Sequence, residues 1–364
     1  MSKAYLSYGP FITPLGTTVE ENYEALLDER SGLTFQDGSG FGEANWYLGK
    51  ISDLKPKSHR YSALLKQGVD QLIEQFGIEV LKSDRTKIIV SSTKGEIDDV
   101  ESDAFKSTRD ILKASVGLTH KPMIISNACI SGVLAINAAA DMIDSEKFDD
   151  VFVIGIDVLS DFIVYGFQSL FALSDSPVTP FDKNRKGISI GESCSIVRVS
   201  NSKPTDFSVE YLGGSSSNDA NHISGPSRTG EGLFRSINKT LNRANVKIDQ
   251  VDFISAHGTG TNYNDEMESI AFERVSASDI HVNSMKGYYG HTLGASGILE
   301  TIISMLSIQH ETLIKSRGFE EQGTSRPMNV ITEHTRKSIN YVLKTASGFG
   351  GGNASLLIAK TPQA

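Results

Sequence analysis

Short apolar runs along the chain alternate with segments whose apolar positions recur every three or four residues. The runs, bounded by glycine or polar turns, predict strands at 87–92, 122–125, 151–156, 193–199, 251–256 and 355–359. The three-to-four spacing predicts helices at 19–27, 61–75, 132–143, 232–244, 265–274 and 298–310. Strands alternating with helices predict an α/β architecture. A glycine turn feeding a strand at 187–199 recurs at 348–359. This weak repeat divides the chain into two similar halves, 1–202 and 203–364, which meet at Asn201-Ser202-Lys203-Pro204.

Composition narrows the function classes. A length of 364 residues with 39% hydrophobic residues suits one large domain or two fused halves. The formal net charge of -9 argues against nucleic acid as a bulk partner. Two cysteines, Cys129 and Cys194, do not make a disulfide framework. Cys194 lies in an alternating strand pattern and reads as structural. The chain has no Cys-x-x-Cys pair and no His-x-x-x-His, so no metal is expected. No apolar run reaches the ~18 residues of a membrane span, and no signal peptide is expected. A cytoplasmic protein with no membrane contact is therefore expected.

Three segments carry the candidate chemistry. Cys129 lies in Ser126-Asn127-Ala128-Cys129-Ile130-Ser131-Gly132, between an apolar strand and a helix-like run. A thiol at a helix N-terminus meets the positive end of the helix dipole and free N–H groups, which favour the nucleophilic thiolate. The alternative is a small buried apolar residue. His257 follows an apolar strand in His257-Gly258-Thr259-Gly260-Thr261, with Asp265 and Glu268 downstream on one helix face. Lys286 and His291 share the glycine-rich loop 286–297, which leads into another helix. A single histidine is more often structural. A cysteine and two histidines, each where a strand gives way to a loop, point to catalysis.

These segments together resemble the beta-ketoacyl-[acyl carrier protein] synthases, the elongating type II-like condensing enzymes of the thiolase superfamily. His257 to Thr261 with Asp265 and Glu268 meets the family's His-Gly-Thr-Gly-Thr pattern. Lys286, Gly290, His291, Gly294, Ala295 and Gly297 meet its Lys-to-Gly pattern. Pro180-Phe181-Asp182 with Arg185, and Gly348 to Asn353, resemble two further family loops; the likeness runs to about residue 360. The sequence departs from the pattern at Ser347, where relatives carry Phe, and around Ile130-Ser131-Gly132.

The resemblance implies the thiolase fold, two similar halves layered α-β-α-β-α, with the nucleophilic cysteine in the first half and both histidines in the second. It implies decarboxylative Claisen condensation: acyl transfer to Cys129, then reaction with malonyl-acyl carrier protein, in fatty-acid elongation. The catalytic set would be Cys129, His257, His291, Lys286 and Phe349, supported by Asp265 and Glu268. Backbone N–H groups of Cys129 and Phe349 would hold the oxyanion, and Lys286 would pair with Glu268. Phe349 would gate Cys129, and Ser347 would loosen that gate. No cofactor is expected. Expected partners are acyl- and malonyl-loaded acyl carrier protein and a second, similar chain in a homodimer or heterodimer. The alternatives are a specialised polyketide or aryl polyene ketosynthase and, outside catalysis, a chain-length partner subunit. A thiolase would need another cysteine in the C-terminal glycine loop, and 348–353 has none. Basic runs at Lys183, Arg185 and Lys186, and at Lys55, Lys57, His59 and Arg60, are candidates for docking an acidic carrier or simply solvated surface.

Overall fold

A computed structural model describes residues 3–54, 59–99, 103–219 and 225–361. Lys55 and Lys57 lie outside the described residues. The first half contributes strands β1 (Ala4–Ile12), β2 (Thr86–Ser91), β3 (Met123–Ile125), β4 (Asp150–Asp157) and β5 (Ser193–Ser200). The second contributes β6 (Val209–Asn218), β7 (Phe253–Ser255), β8 (His281–Asn283), β9 (Tyr341–Gly348) and β10 (Gly352–Lys360). The first five run side by side as β3-β2-β4-β5-β1 and the second five as β8-β7-β9-β10-β6. Numbered within each half, both orders are third, second, fourth, fifth, first. The halves join where β1 pairs antiparallel with β6. The pair Asn329–Val330 extends the second half beyond β8.

Six of the helices among the described residues fill the layers: α1 (Arg60–Phe76), α2 (Lys106–Val116), α3 (Ser131–Asp144), α4 (Glu231–Ala244), α5 (Asn262–Arg274) and α6 (Ser296–Gln309). Helices α3 and α6 pack against each other and against strands of both halves. Their shared core includes Val133, Ile136, Ile298 and Ile302 from the helices, with Val153, Val197, Val342 and Leu356 from the strands. Helices α1 and α2 cover the outer face of the first half through Leu64, Leu72 and Leu112. Helices α4 and α5 cover the second through Ile237, Leu241 and Phe272. The result is the expected α-β-α-β-α layering, and it explains why α6 is buried on every side.

Predicted elements are present with ends moved by a few residues, as fraying ends allow. Four of these strands escaped prediction: β8, which is three residues long, and three longer central ones. β1 is interrupted by Gly9-Pro10, and its register shifts between Tyr8 and Phe11; proline is tolerated in a central strand at such an irregularity. β6 carries Gly213-Gly214 and three serines, a polar run that earns its place by pairing β1 and β10. β9 contains Lys344 and reads as amphipathic, yet it is buried between β7 and β10.

Candidate active site

Every candidate catalytic group sits just beyond the carboxyl end of a strand: Cys129 after β3, His257 after β7, Lys286 and His291 after β8, and Phe349 after β9; the supporting Asp265 and Glu268 lie in α5. Such ends are where α/β sheets place ligands. Ala128 takes a left-handed φ of 44°, which turns the chain sharply into α3. Ser131 locks that turn: its Oγ accepts from Asn127 N–H at 2.7 Å and donates to Ala128 O at 2.6 Å. Gly132 and Gly297 then let α3 and α6 touch. A Cβ on Gly132 would lie 2.9 Å from Ile298 N, and one on Gly297 would lie 2.7 Å from Val133 N. This backbone contact draws Cys129 toward the loop carrying His291.

The structure corrects the expectation of a resting thiolate. Cys129 is buried, and desolvation pushes its thiol up to about 12, with Lys286 pulling the other way. Desolvation of the charged form is the largest effect acting on it. Cys194 is also pushed up to about 12 by burial, and its Sγ packs against Gly68, which agrees with a structural role.

Cys129 Sγ and one ring nitrogen of each of His257 and His291 all lie within 4.8 Å of one another. The rings are nearly perpendicular, with centroids 5.0 Å apart. Hydrogen bonds set their tautomers. His291 Nδ1 accepts from Leu293 N–H at 3.3 Å and pairs with Ser296 Oγ at 2.8 Å. His257 Nδ1 faces the Lys286 ammonium at 3.4 Å. Both Nδ1 atoms are therefore acceptors, and the proton of each neutral ring sits on Nε2. His291 Nε2 is buried without a protein partner. Desolvation first, and the positive charge of Lys286 second, hold both histidines well below the usual histidine range. Three metal-ligand residue types meet here, but the rings present N–H donors rather than lone pairs. Turning either ring nitrogen into a ligand would aim an Nδ1–H at another donor. The arrangement suits an anionic oxygen, not a cation.

Lys286 takes a different partner from the expected one. Its Nζ pairs with Glu300 Oε1 at 2.7 Å and donates to the carbonyl of His257. Glu268 instead accepts from His257 N–H at 2.8 Å, Gly258 N–H at 2.6 Å and Asn264 Nδ2 at 2.8 Å. Asp265 accepts from Phe181 N–H at 2.7 Å and Thr259 N–H at 2.9 Å. The two acids thus shape the turn that aims His257. Burial and the neighbouring Asp265 raise Glu268 to about 7. Two further residues belong to the site but stand outside the expected set. Glu300 is an acid in the apolar run of α6, and Lys344 is a base in the apolar run of β9; both are buried, and their side chains meet at 2.6 Å. A charge inside an otherwise apolar run is the signal that marks them.

Phe349 stacks on Phe167, with centroids 5.5 Å apart. It is 39% exposed and lines a cavity of about 610 Å³ with Cys129, His257, His291, Phe171 and Tyr263. Gly350 and Gly351 follow it at φ 81° and 75°, a conformation glycine supplies without strain. Gly348 packs against the backbone N–H of Cys129, where a Cβ would come within 3.1 Å. The N–H groups of Cys129 and Phe349 therefore belong to neighbouring turns. Ser347 does not simply leave space: it is buried and donates to Asn353 Oδ1 at 2.8 Å, tying β9 to β10. The basic run at 183–186 is not one surface. Arg185 is buried beside Asp265, Lys183 pairs with Glu321, and Lys186 pairs with Asp175. Arg60 is likewise committed, to Glu192 at 2.5 Å.

Residues 111–203 match the family model described as the N-terminal domain of beta-ketoacyl synthase, and residues 209–320 match the one described as its C-terminal domain. The chain is 26% identical over 400 residues to a 3-oxoacyl-[acyl-carrier-protein] synthase 2 of Coxiella burnetii, covering 96% of each. It is 33% identical over 253 residues to the synthase of the same name from Rhizobium meliloti, covering 65% of this chain and 60% of the relative. Among solved structures it resembles a ketosynthase in complex with its chain length factor from Xenorhabdus doucetiae. The TM-score is 0.86 at 24% identity, covering 99% of this chain and 98% of that chain. That likeness is one of fold, the thiolase fold.

Proposed function

The chain belongs to the beta-ketoacyl synthase family, and from that premise we propose that it catalyses decarboxylative Claisen condensation on acyl carrier protein. The observation that carries this reading is the meeting of Cys129 Sγ with both histidines inside 4.8 Å. In the first half-reaction, Cys129 sulfur attacks the carbonyl of an acyl thioester. The oxyanion rests on the N–H groups of Cys129 and Phe349, and the carrier's thiol leaves with the proton that Cys129 gives up. In the second, malonyl thioester loses carbon dioxide. The electron pair of the broken C–C bond becomes an enolate, and its oxygen is held by the Nε2–H groups of His257 and His291. The enolate carbon attacks the acyl-Cys129 carbonyl, the new C–C bond forms, and the Cys129 thiolate leaves. It recovers a proton for the next cycle.

Fatty-acid elongation is the first reading of the pathway. A polyketide-type ketosynthase is the second, favoured by the aromatic mouth of the cavity, where Phe171 is 94% and Tyr263 79% exposed. Acyl carrier protein is the partner that delivers both substrates. The same reading assigns 1–202 to the half that supplies Cys129 and 203–364 to the half that supplies the histidines, and the repeated strand order supports that division. No helix among the described residues is long and apolar enough to cross a membrane, and we assign the protein to the cytoplasm. Intact-mass spectrometry after incubation with carrier proteins loaded with short, long and aromatic acyl groups tests the function. One acyl adduct on Cys129, absent in Cys129→Ala, is expected; an unmodified parent across the whole panel would remove the reading.

A further inference from the structure

Glu300 is a lone acid in the apolar wall of α6, and its two oxygens face two different lysines. Oε1 lies 2.7 Å from Lys286 Nζ, and Oε2 lies 2.6 Å from Lys344 Nζ. Lys286 comes from the His291 loop, whereas Lys344 comes from the middle of β9 and belongs to neither histidine segment. Its side chain is fully buried. It also donates to Ser255 O at 3.1 Å and to Ala256 O at 3.2 Å, while Lys286 donates to His257 O. Two ammonium groups joined by one carboxylate thus hold three successive carbonyls, the last of them that of His257. Glu300 is the carboxylate within ion-pair distance of both ammonium groups; Glu268 also faces them, and its carboxyl, raised to about 7 by burial and Asp265, offsets their charge only in part. A residue that only filled this space would be apolar, because burying an ammonium carries a large desolvation penalty.

We propose that Lys344 is a positioning residue for the decarboxylation half-reaction: through Glu300 and the carbonyls before His257 it fixes Lys286 and the His257 ring, and it places a second positive charge under both rings. The inference rests on the condensing-enzyme reading above. The groups facing Lys344 are Glu300, Lys286, Glu268 and the two histidines. Its charge is among those that depress both histidines, after burial and Lys286. Neutral rings keep Nδ1 as acceptor and Nε2–H as donor toward the enolate. The charge acts on a step in which an anionic oxygen develops, whereas acyl transfer to Cys129 draws on the separate N–H pair of Cys129 and Phe349.

The test compares the parent with Lys344→Met and Lys344→Arg in two assays. One follows acylation of Cys129 by acyl-loaded carrier protein, and the other follows carbon dioxide release from malonyl-loaded carrier protein from about pH 5.5 to about 8.5. Lys344→Met is expected to acylate at close to the parental rate and to decarboxylate about 10²-fold more slowly, the cost of a misplaced catalytic group. Its acid-side loss of activity is expected to begin at a higher pH, because a charge repelling protons from the rings is gone. Lys344→Arg keeps the charge and is expected to keep the parental pH profile. Should Lys344→Met fail to fold, Lys344→Gln, which retains donors but no charge, is expected to show the same pH shift. Parental decarboxylation and pH profile in Lys344→Met overturn the proposal, as does an equal loss in both assays, which marks a merely structural lysine. A parent that neither acylates nor decarboxylates removes the condensing-enzyme reading, and the role of Lys344 with it.

Discussion

Burial sets the protonation states of the three reacting side chains, and it sets them in useful directions. It keeps the Cys129 thiol protonated until attack and keeps both imidazoles neutral. Since both histidines sit below their usual value near 6.5, their protonation is expected to slow decarboxylation only in solution well more acid than about 6.5; an inflection near 7 belongs to Glu268, which holds the His257 turn. Carbon dioxide release from the parent and from Glu268→Gln measured against pH checks this; a rate that halves on crossing pH 6.5 from above in Glu268→Gln would place a histidine at its ordinary value. Cys129, His257 and His291 were legible because each stands in a local motif whose spacing survives without the fold. Lys344 was not, and Glu300 could not be told from an ordinary helix residue, because their pairing joins α6 to β9 and only the partner makes a buried charge tolerable. Glu268 was legible as a site residue, but the pairing with Lys286 that the resemblance implied is not the one found: backbone N–H groups at the His257 turn satisfy its carboxylate instead.

At the scale of elements, the site depends on how closely α3 approaches α6. Gly132 and Gly297 face each other's backbones, so a methyl group on either has nothing flexible to displace. Gly297→Ala is expected to destabilise the fold by about 1–3 kcal/mol through overpacking, despite the better helix propensity of alanine. It should also move Cys129 away from His291. Denaturant unfolding with Cys129 acylation as a second readout checks this; a variant as stable and as active as the parent would mean the helices part without cost. The helices themselves were plain in the sequence from their apolar spacing. The close crossing was not, since Gly132 and Gly297 look like any helix-entry glycines until the two helices are side by side. Strands β1 and β6 were hidden for a related reason. Their glycine, proline and serine content contradicts strand propensity, and pairing on both edges, long with β5 and β10 and three residues deep between β1 and β6, overrides it.

In the whole molecule, each half carries one part of the chemistry: the thiol comes from the first and the imidazoles from the second. Packing α3 and α6 between the two halves of the sheet brings those parts together. The same topology leaves β3 at one end of the sheet, half-buried and paired on one side by β2. An open strand edge invites pairing with another chain. The protein is expected to be a dimer, either with itself or with a similar chain, and β3 is the expected seam. Light scattering at micromolar concentration checks this, and a monodisperse monomer would count against it. The layered two-half plan was legible from the alternation of strands and helices and from the recurring glycine turn. The order of strands was not, because pairing partners lie far apart along the chain.

One measurement bears most directly on the division of labour among the three reacting residues. The parent, Cys129→Ala, His257→Ala and His291→Ala are each given acyl-loaded carrier protein and, separately, malonyl-loaded carrier protein. Adduct mass and carbon dioxide are read from the same preparations. The structure predicts that both histidine variants still carry the acyl group on Cys129 while releasing carbon dioxide roughly 10²–10³-fold more slowly, the cost of a lost oxyanion donor. It predicts that Cys129→Ala takes up no acyl group. Parental carbon dioxide release by both histidine variants, or an acyl adduct that persists without Cys129, would contradict it.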